Sequence, residues 1–396
     1  MKVPLFSPLA QNEALASALH EVFKSVLDSG IFILGSEVEV FEKEFAAWHG
    51  MNESVAISSG TDALLVALMA AGVGPGDEVI VPSFTFFATA GVVSRLGARP
   101  VFADVCPACY LMQPDDVEHL IVPGKTKAVI PVHLFGHAMD MNAMEELGKR
   151  YGVVIVEDVA QAMGARCGEQ RVGTRGDFGC FSFFPTKNLG GFGDGGMVLA
   201  RRAEDADRVR RLRNHGMHPK YHHAEVGGNF RLDALQCALL RVKLPHVEHY
   251  LECRAQHAGE YLRRLRELPG VSVESSPTCN TCACGKGGRA EKTDARLVLP
   301  EVRRGQTPAW NQFTVRVPHG QRDALKQWLL EHGVGSEIYY PVPLHQQTCF
   351  SVQQPASSLP HTELLCQEVL SLPVYPEMTP NQRDHVIETL NAWLTR

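Results

Sequence analysis

Residues 54–72 read SVAISSGTDALLVALMAAG. The opening SVAIS is a short apolar run with β-branched residues. A small-residue turn follows through Ser59, Gly60 and Thr61, and TDALLVALMAAG continues as an apolar stretch of helical length. This is a strand, a tight turn and a helix, and the pattern repeats downstream. DEVIVP (77–82) precedes TFFATAGVVSRLG (85–97) and RPVFADV (99–105), and KAVIPVHLF (127–135) precedes MNAMEELGKRYG (141–152) and VVIVEDVAQ (153–161). The strands are near-continuous apolar runs, as expected when helices cover both faces of a sheet. Regular β-α-β alternation from about 53 to 200 therefore predicts an α/β fold with a mostly parallel central sheet. Right-handed crossovers put the loops that follow the strands along one edge, where ligands bind.

Beyond Gly228 the period changes. RLDALQCALLRVKLPHVEHYLECRAQHAGEYLRRLREL (231–268) is helical, with Pro245 expected to break or kink it. The remainder mixes strand-like and helical stretches. The division expected is 1–245, an N-terminal arm and a large domain, and 246–396, a small α+β domain that the arm could join. Residues 275–308, polar and rich in Gly and Cys, read as a loop insertion.

Bulk composition excludes several classes. The chain has 396 residues, with 38 Lys plus Arg against 44 Asp plus Glu, a net charge of -6. Such a chain, without a basic block, is a poor binder of nucleic acid or anionic membrane. The opening residues lack the apolar core and cleavage pattern of a secretory signal, and no apolar run approaches the ~20 residues of a membrane helix. A cytoplasmic location is the expectation. Eleven cysteines, an odd number, argue against a disulfide framework. Cys279, Cys282 and Cys284 in CNTCAC could begin a metal or cluster site, but no fourth ligand is evident, and no metal is expected.

Four weak signals lie at the expected edge. Ser59, Gly60 and Thr61 would aim free N–H groups and hydroxyls from a helix N-terminus, either as an anion seat or as ordinary capping. Asp158 ends VVIVED, as a carboxylate awaiting a cation or as the N-cap of the next helix. Phe84, Phe86 and Phe87 follow DEVIVP, as core or as a face for a flat heterocycle. Lys187 lies in CFSFFPTKNLGGFGDGGMV (180–198) between an aromatic run and a glycine-rich loop, where burial can lower an amine's pKa; the alternative is a surface lysine. Gly191, Gly193 and Gly196 spell G-x-G-x-x-G, but the glycines run into a strand, MVLA, rather than opening a helix, so they are not a dinucleotide fingerprint. Taken together, the four signals are the parts of a pyridoxal phosphate site: a phosphate seat, a ring face, an acid for the ring nitrogen and a lysine for the aldehyde.

Ordered motifs along most of the chain extend this reading: SGIFILGSEVEVFEKEFAAWHG, SSGTDALLVAL, GDEVIVPSFTFFAT, PVHLFGHAMDM, VEDVAQAMGA, GDFGCFSFFPTKNLGGFGDGG, LRNHGM, GGNFRLDALQCALL and YYPVPLHQQ. In these the chain resembles the DegT/DnrJ/EryC1/StrS family of sugar aminotransferases, which have the fold-type I, aspartate aminotransferase-like fold. The resemblance implies that Lys187 forms the Schiff base with pyridoxal 5'-phosphate and moves the proton. It implies that Asp158 pairs with the ring nitrogen, Gln161 with the ring hydroxyl, and that Phe86 stacks on the ring. Gly60, Thr61 and Ser182 would contact the phosphate, joined by Asn229 from a second subunit of a homodimer. His133, His215, Tyr340 and His345 fall in motifs that could line the substrate pocket. The implied reaction moves an amino group from an amino acid, glutamate or similar, to a keto group of a nucleotide-linked sugar. Alternatives are a related enzyme acting on a keto-cyclitol, a sugar dehydratase, or a regulatory member without catalysis. In relatives with dehydratase activity a histidine replaces the lysine that is retained here. His137 and Ala138 depart from the Gln and Pro carried by many sugar relatives.

Overall fold

A computed structural model describes residues 1–273, 294–302, 305–351 and 358–396. Cys279, Cys282 and Cys284 lie outside the described residues. Among the described residues no group of three or more His, Cys, Asp or Glu is placed to hold a metal ion, and no helix is long and apolar enough to cross a membrane.

The repeated apolar runs form a seven-stranded sheet. Its strands are β1 (Ser54–Ile57), β2 (Glu78–Pro82), β3 (Arg99–Ala103), β4 (Thr126–Val129), β5 (Val154–Asp158), β6 (Phe178–Ser182) and β7 (Gly196–Ala200). Their spatial order is β1-β7-β6-β5-β4-β2-β3. Every neighbouring pair is parallel except those of β7, which runs antiparallel to both β1 and β6. Two reversals cancel, so β1 and β6 point the same way as the rest. The C-terminal ends of β1, β5 and β6 therefore share one edge.

Helices cover the sheet. Helix α1 (Gly60–Ala70) is enclosed, with Ala63 to Leu68 all buried. It packs against β6, β7, α2 (Ala88–Arg95) and α3 (Ala203–Arg213). Its apolar residues on all faces match that placement, since a helix with no polar stripe has no side to offer water.

The long helical stretch divides where Pro245 predicts. Helix α4 (Ala234–Lys243) passes through a short 3-10 turn, Leu244–His246, into α5 (Val247–Leu265). Proline lacks the N–H that would continue the ladder. Helix α5 leads to a second, four-stranded sheet: β8 (Val271–Val273), β9 (Leu297–Leu299), β10 (Phe313–Arg316) and β11 (Val369–Leu372), in that order. Tyr261, Leu265, Phe313, Val315, Leu325, Leu329, Leu370 and Leu390 build its core.

One expectation changes. Within 275–308, Leu297–Leu299 is a buried strand and Gln306–Thr307 pairs with Arg166–Cys167, so that stretch is not wholly a loop. A three-residue apolar run is too short for periodicity to reveal. The arm starts at the small domain: Val3 is buried in the core of the second sheet, and its N–H donates to the Gly333 carbonyl at 2.8 Å.

Candidate active site

Where β1 turns into α1, Ser59 caps the helix, its hydroxyl accepting from the Asp62 N–H at 3.0 Å. The N–H groups of Gly60 and Thr61, in the first turn, have no acceptor within the helix; this is the orphan-donor geometry of a helix start. Gly60 lies hard against the end of β6. A Cβ on Gly60 would stand 2.6 Å from Ser182 Cβ, and one on Gly196 would stand 2.5 Å from the Ser59 carbonyl. Gly196 pairs with Ile57 on one side and Ser182 on the other. The seat is thus closed by three strands, with glycine where backbones meet and Ser182 beside it.

Asp158, buried at the end of β5, accepts from the Thr89 hydroxyl at 2.9 Å and the Ala160 N–H at 3.1 Å. Burial pushes its carboxyl above the ordinary range; those two donors and the charge of Lys187 pull the other way. Lys187, half-buried in the loop between β6 and β7, faces the same field from the other side. Burial lowers its amine to about 8, and Asp158 draws it back up.

Gln161 follows on the turn after β5. Its Oε1 accepts from the Phe135 N–H at 2.8 Å, and its Nε2 donates to the Tyr340 hydroxyl at 2.9 Å. Phe84 is core, whereas Phe86 is 55% exposed with its ring 6.1 Å from that of Tyr340. The Phe86 ring therefore lies beside Tyr340, the residue that Gln161 hydrogen-bonds.

The remaining candidates are dispersed. Asn229 and His215 are exposed, on paired segments joined by the Asn214–Asn229 bridge and the His215 N–H to Gly228 carbonyl bond. His345 is enclosed: its Nδ1 is 2.7 Å from the Ser83 hydroxyl and its Nε2 3.3 Å from Glu363. Both ring nitrogens are occupied within the chain. The Ser-His-Glu order has the look of a nucleophilic triad, but Ser83 is buried and also accepts from the His345 N–H, so it ties two loops together. His133 is fully buried and hydrogen-bonded to Glu157 at 2.9 Å, so it is a core residue and not a pocket lining. His137 and Ala138 are buried too, the His137 ring lying 5.7 Å from Trp310 and 6.1 Å from Tyr110.

Sequence reading missed Thr89, which hydrogen-bonds Asp158. Its signal is faint: a hydroxyl in the first turn of the helix after FTFF. It also missed Asn311, whose amide reaches the residues flanking Lys187 and which no local motif marks.

A mostly parallel sheet with a buried carboxylate, a tight helix N-terminus and a lysine on one edge is the architecture of the fold-type I, aspartate aminotransferase-like class. Comparison with known proteins agrees. The DegT/DnrJ/EryC1/StrS aminotransferase family matches residues 14–285 and 289–391. The chain belongs to that family and is an aminotransferase. It is 43% identical to a UDP-N-acetyl-3-dehydro-alpha-D-glucosamine 3-aminotransferase of Acidithiobacillus ferrooxidans, over 90% of this chain and 88% of the other. It is 41% identical to a protein of Geobacillus stearothermophilus named a pleiotropic regulatory protein, over 98% of each chain. The crystal structure of S. venezuelae DesV, in complex with a ketimine intermediate, superposes with a TM-score of 0.90 at 40% identity, covering 100% of this chain and 99% of that one.

Proposed function

We propose that this chain transfers an amino group from glutamate to the C3 keto group of a nucleotide-linked sugar, using pyridoxal 5'-phosphate. The observation that carries the reading is the meeting of Lys187 and Asp158 at one sheet edge, beside the glycine-walled seat at Gly60. The name of the Acidithiobacillus relative supports C3 as the carbon aminated.

The residues present fit the cofactor. The Gly60 and Thr61 amides with the Ser182 hydroxyl suit a phosphate dianion, because a helix N-terminus carries partial positive charge. Asp158 offers a buried carboxylate to a ring N–H⁺, and such a partner would offset the burial that raises its pKa. Phe86 offers a ring face and Gln161 an amide. When bound, the cofactor supplies an electron-poor ring that eases removal of a proton from the carbon bearing the amine. Lys187 would hold the group covalently and would carry that proton. With a pKa of about 8 instead of 10.5, roughly a tenth of its amine is neutral at pH 7, far more than for an ordinary lysine.

The exposed Asn229 and His215 support a homodimer in which a second copy completes the site. Phe23, Leu27, Ile31, Phe32 and Ile33 form a run of exposed apolar residues that a second copy would cover.

The test is direct. Chain loaded with pyridoxal 5'-phosphate is mixed with glutamate and a nucleotide-linked 3-keto sugar. Mass spectrometry should show the amino sugar and 2-oxoglutarate together, and Lys187→Ala should lose both. An unchanged yield in Lys187→Ala would refute the reading.

A further inference from the structure

Lys187 sits on a loop, and loops do not hold a side chain to catalytic tolerance unaided. The residues on either side of it are fixed by one distant side chain. Asn311 Nδ2 donates to the Thr186 carbonyl at 3.3 Å and to Asn188 Oδ1 at 2.9 Å. Asn188 in turn donates through Nδ2 to the carbonyls of Met163 at 3.3 Å and Ala309 at 3.0 Å. Those two carbonyls can only accept, so the Asn188 amide has one workable orientation. Its oxygen must face Asn311, and Asn311 must present nitrogen. Both side chains are at least nine-tenths buried.

The segment bearing Asn311 is itself pinned. Arg254, fully buried on α5, donates through Nη1 to the carbonyls of Trp310 at 3.1 Å, Asn311 at 3.3 Å and Val374 at 2.7 Å. From the other side, the Ala309 N–H donates to the Gly136 carbonyl at 2.9 Å and the Gln312 N–H to the Phe135 carbonyl at 3.3 Å. Trp310 is held at φ 46°, in the left-handed region that residues with a side chain seldom adopt. Non-glycine residues keep such a conformation where surrounding contacts over-determine it, and such positions cluster at functional sites. The Phe135 N–H also donates to Gln161, so the segment reaches a second candidate site residue through Phe135.

We propose that Asn311 is a positioning residue for Lys187, coupling the segment that leads into β10 to the working amine. It bonds to both neighbours of Lys187, so it sets the loop's backbone and keeps the amine withdrawn beside Asp158. Loss of its donor frees the Thr186 carbonyl and leaves Asn188 held only through Met163 and Ala309, which lets the amine swing toward water. The inference rests on Lys187 being the working amine, and its test reads that amine directly.

Full-length chain, stripped of cofactor, is labelled with a limiting amine-reactive reagent at a series of pH values, and the Lys187 peptide is quantified by mass spectrometry. In the unaltered chain half-labelling is expected near pH 8, the amine's expected pKa. In Asn311→Ala it should move up by about one unit, a roughly tenfold smaller neutral fraction at pH 7. In loaded enzyme, kcat should fall about tenfold while KM for the amino donor stays within about twofold. Asn311→Ser, which keeps a donor and removes less volume, should fold where Asn311→Ala does not and show a smaller shift of the same sign. A folded Asn311 variant that loses thermal stability but keeps the Lys187 titration and kcat unchanged would overturn the proposal. Activity surviving Lys187→Ala would instead remove the reading on which it rests.

Discussion

Gly60→Ala probes the seat where the fold leaves least room. The new Cβ would lie 2.6 Å from Ser182 Cβ, 3.1 Å from its Oγ and 3.2 Å from its Cα. Relief to an ordinary carbon contact of ~3.5 Å requires a separation of about 0.9 Å. No rotamer change supplies it, because Cβ is fixed by the Ser182 backbone and Ser182 is paired with Gly196. The start of α1 must therefore shift or tilt, at an overpacking cost of about 1–3 kcal/mol. The same shift displaces the Gly60 and Thr61 amides from any phosphate. Loss of one charge-assisted hydrogen bond to the phosphate, about 1.5–3 kcal/mol, should make pyridoxal 5'-phosphate bind about 10- to 150-fold more weakly. Fluorescence titration of the stripped chain measures this, with pyridoxal, which lacks the phosphate, as a second ligand that should lose much less. Gly74→Ala is the control, since a Cβ there meets nothing within 4 Å. If Gly60→Ala binds the phosphorylated ligand within about twofold of the unaltered chain, the seat is not where the phosphate is held.

Glu157→Gln should destabilise by about 3–5 kcal/mol in urea unfolding, because it disrupts a buried charged hydrogen-bond network. The carboxylate accepts from His133 Nε2 and from the N–H groups of Gly173, Arg175 and Gly176, and an amide NH₂ would face donors. Burial alone would raise that carboxyl, but His133 and these amides hold it below the usual range. A loss under about 1 kcal/mol would contradict the network. Lys243 is buried, its Nζ donating to the Gly190 carbonyl at 2.9 Å, and burial lowers its amine to about 8. Its folded pKa lies below its unfolded value of 10.5, so stability is lost as pH falls through 8 and recovered above 10.5. Relative to Lys243→Met, the unaltered chain should gain stability between those limits in pH-dependent urea unfolding, while Lys187 cancels in the comparison. Parallel curves would show that Lys243 is solvated.

The large sheet is legible because its strands are buried on both faces, so VVIVED and EVIVP announce themselves as unbroken apolar runs. The direction of β7 is not. GMVLA reads as a strand, but its antiparallel register depends on β1, more than a hundred residues earlier. Asp158, Gln161 and Lys187 can be placed because each follows a strand end, where topology alone selects the edge. His133 misleads for a related reason. Its motif lies at that edge, yet its ring turns inward to Glu157, the neighbour of Asp158 on the opposite face of β5. Alternation along a strand decides which of two adjacent carboxylates serves the site and which serves the core. Asn311 escapes altogether, because its partners lie more than a hundred residues away and an asparagine before a strand carries no local signature.

The enclosure of α1 has a consequence for ionic conditions. A surface helix presents its dipole through water, where salt screens charge over about 8 Å at physiological ionic strength. The flanks of α1 from Ala63 to Leu68 are shut off from solvent, so counterions cannot approach the peptide units behind Gly60. The potential at its N-terminus is therefore screened only from the open end, where Thr61 is exposed. Added anions would weaken binding there chiefly by competing for the seat itself, so phosphate or sulfate should matter far more than chloride at equal ionic strength.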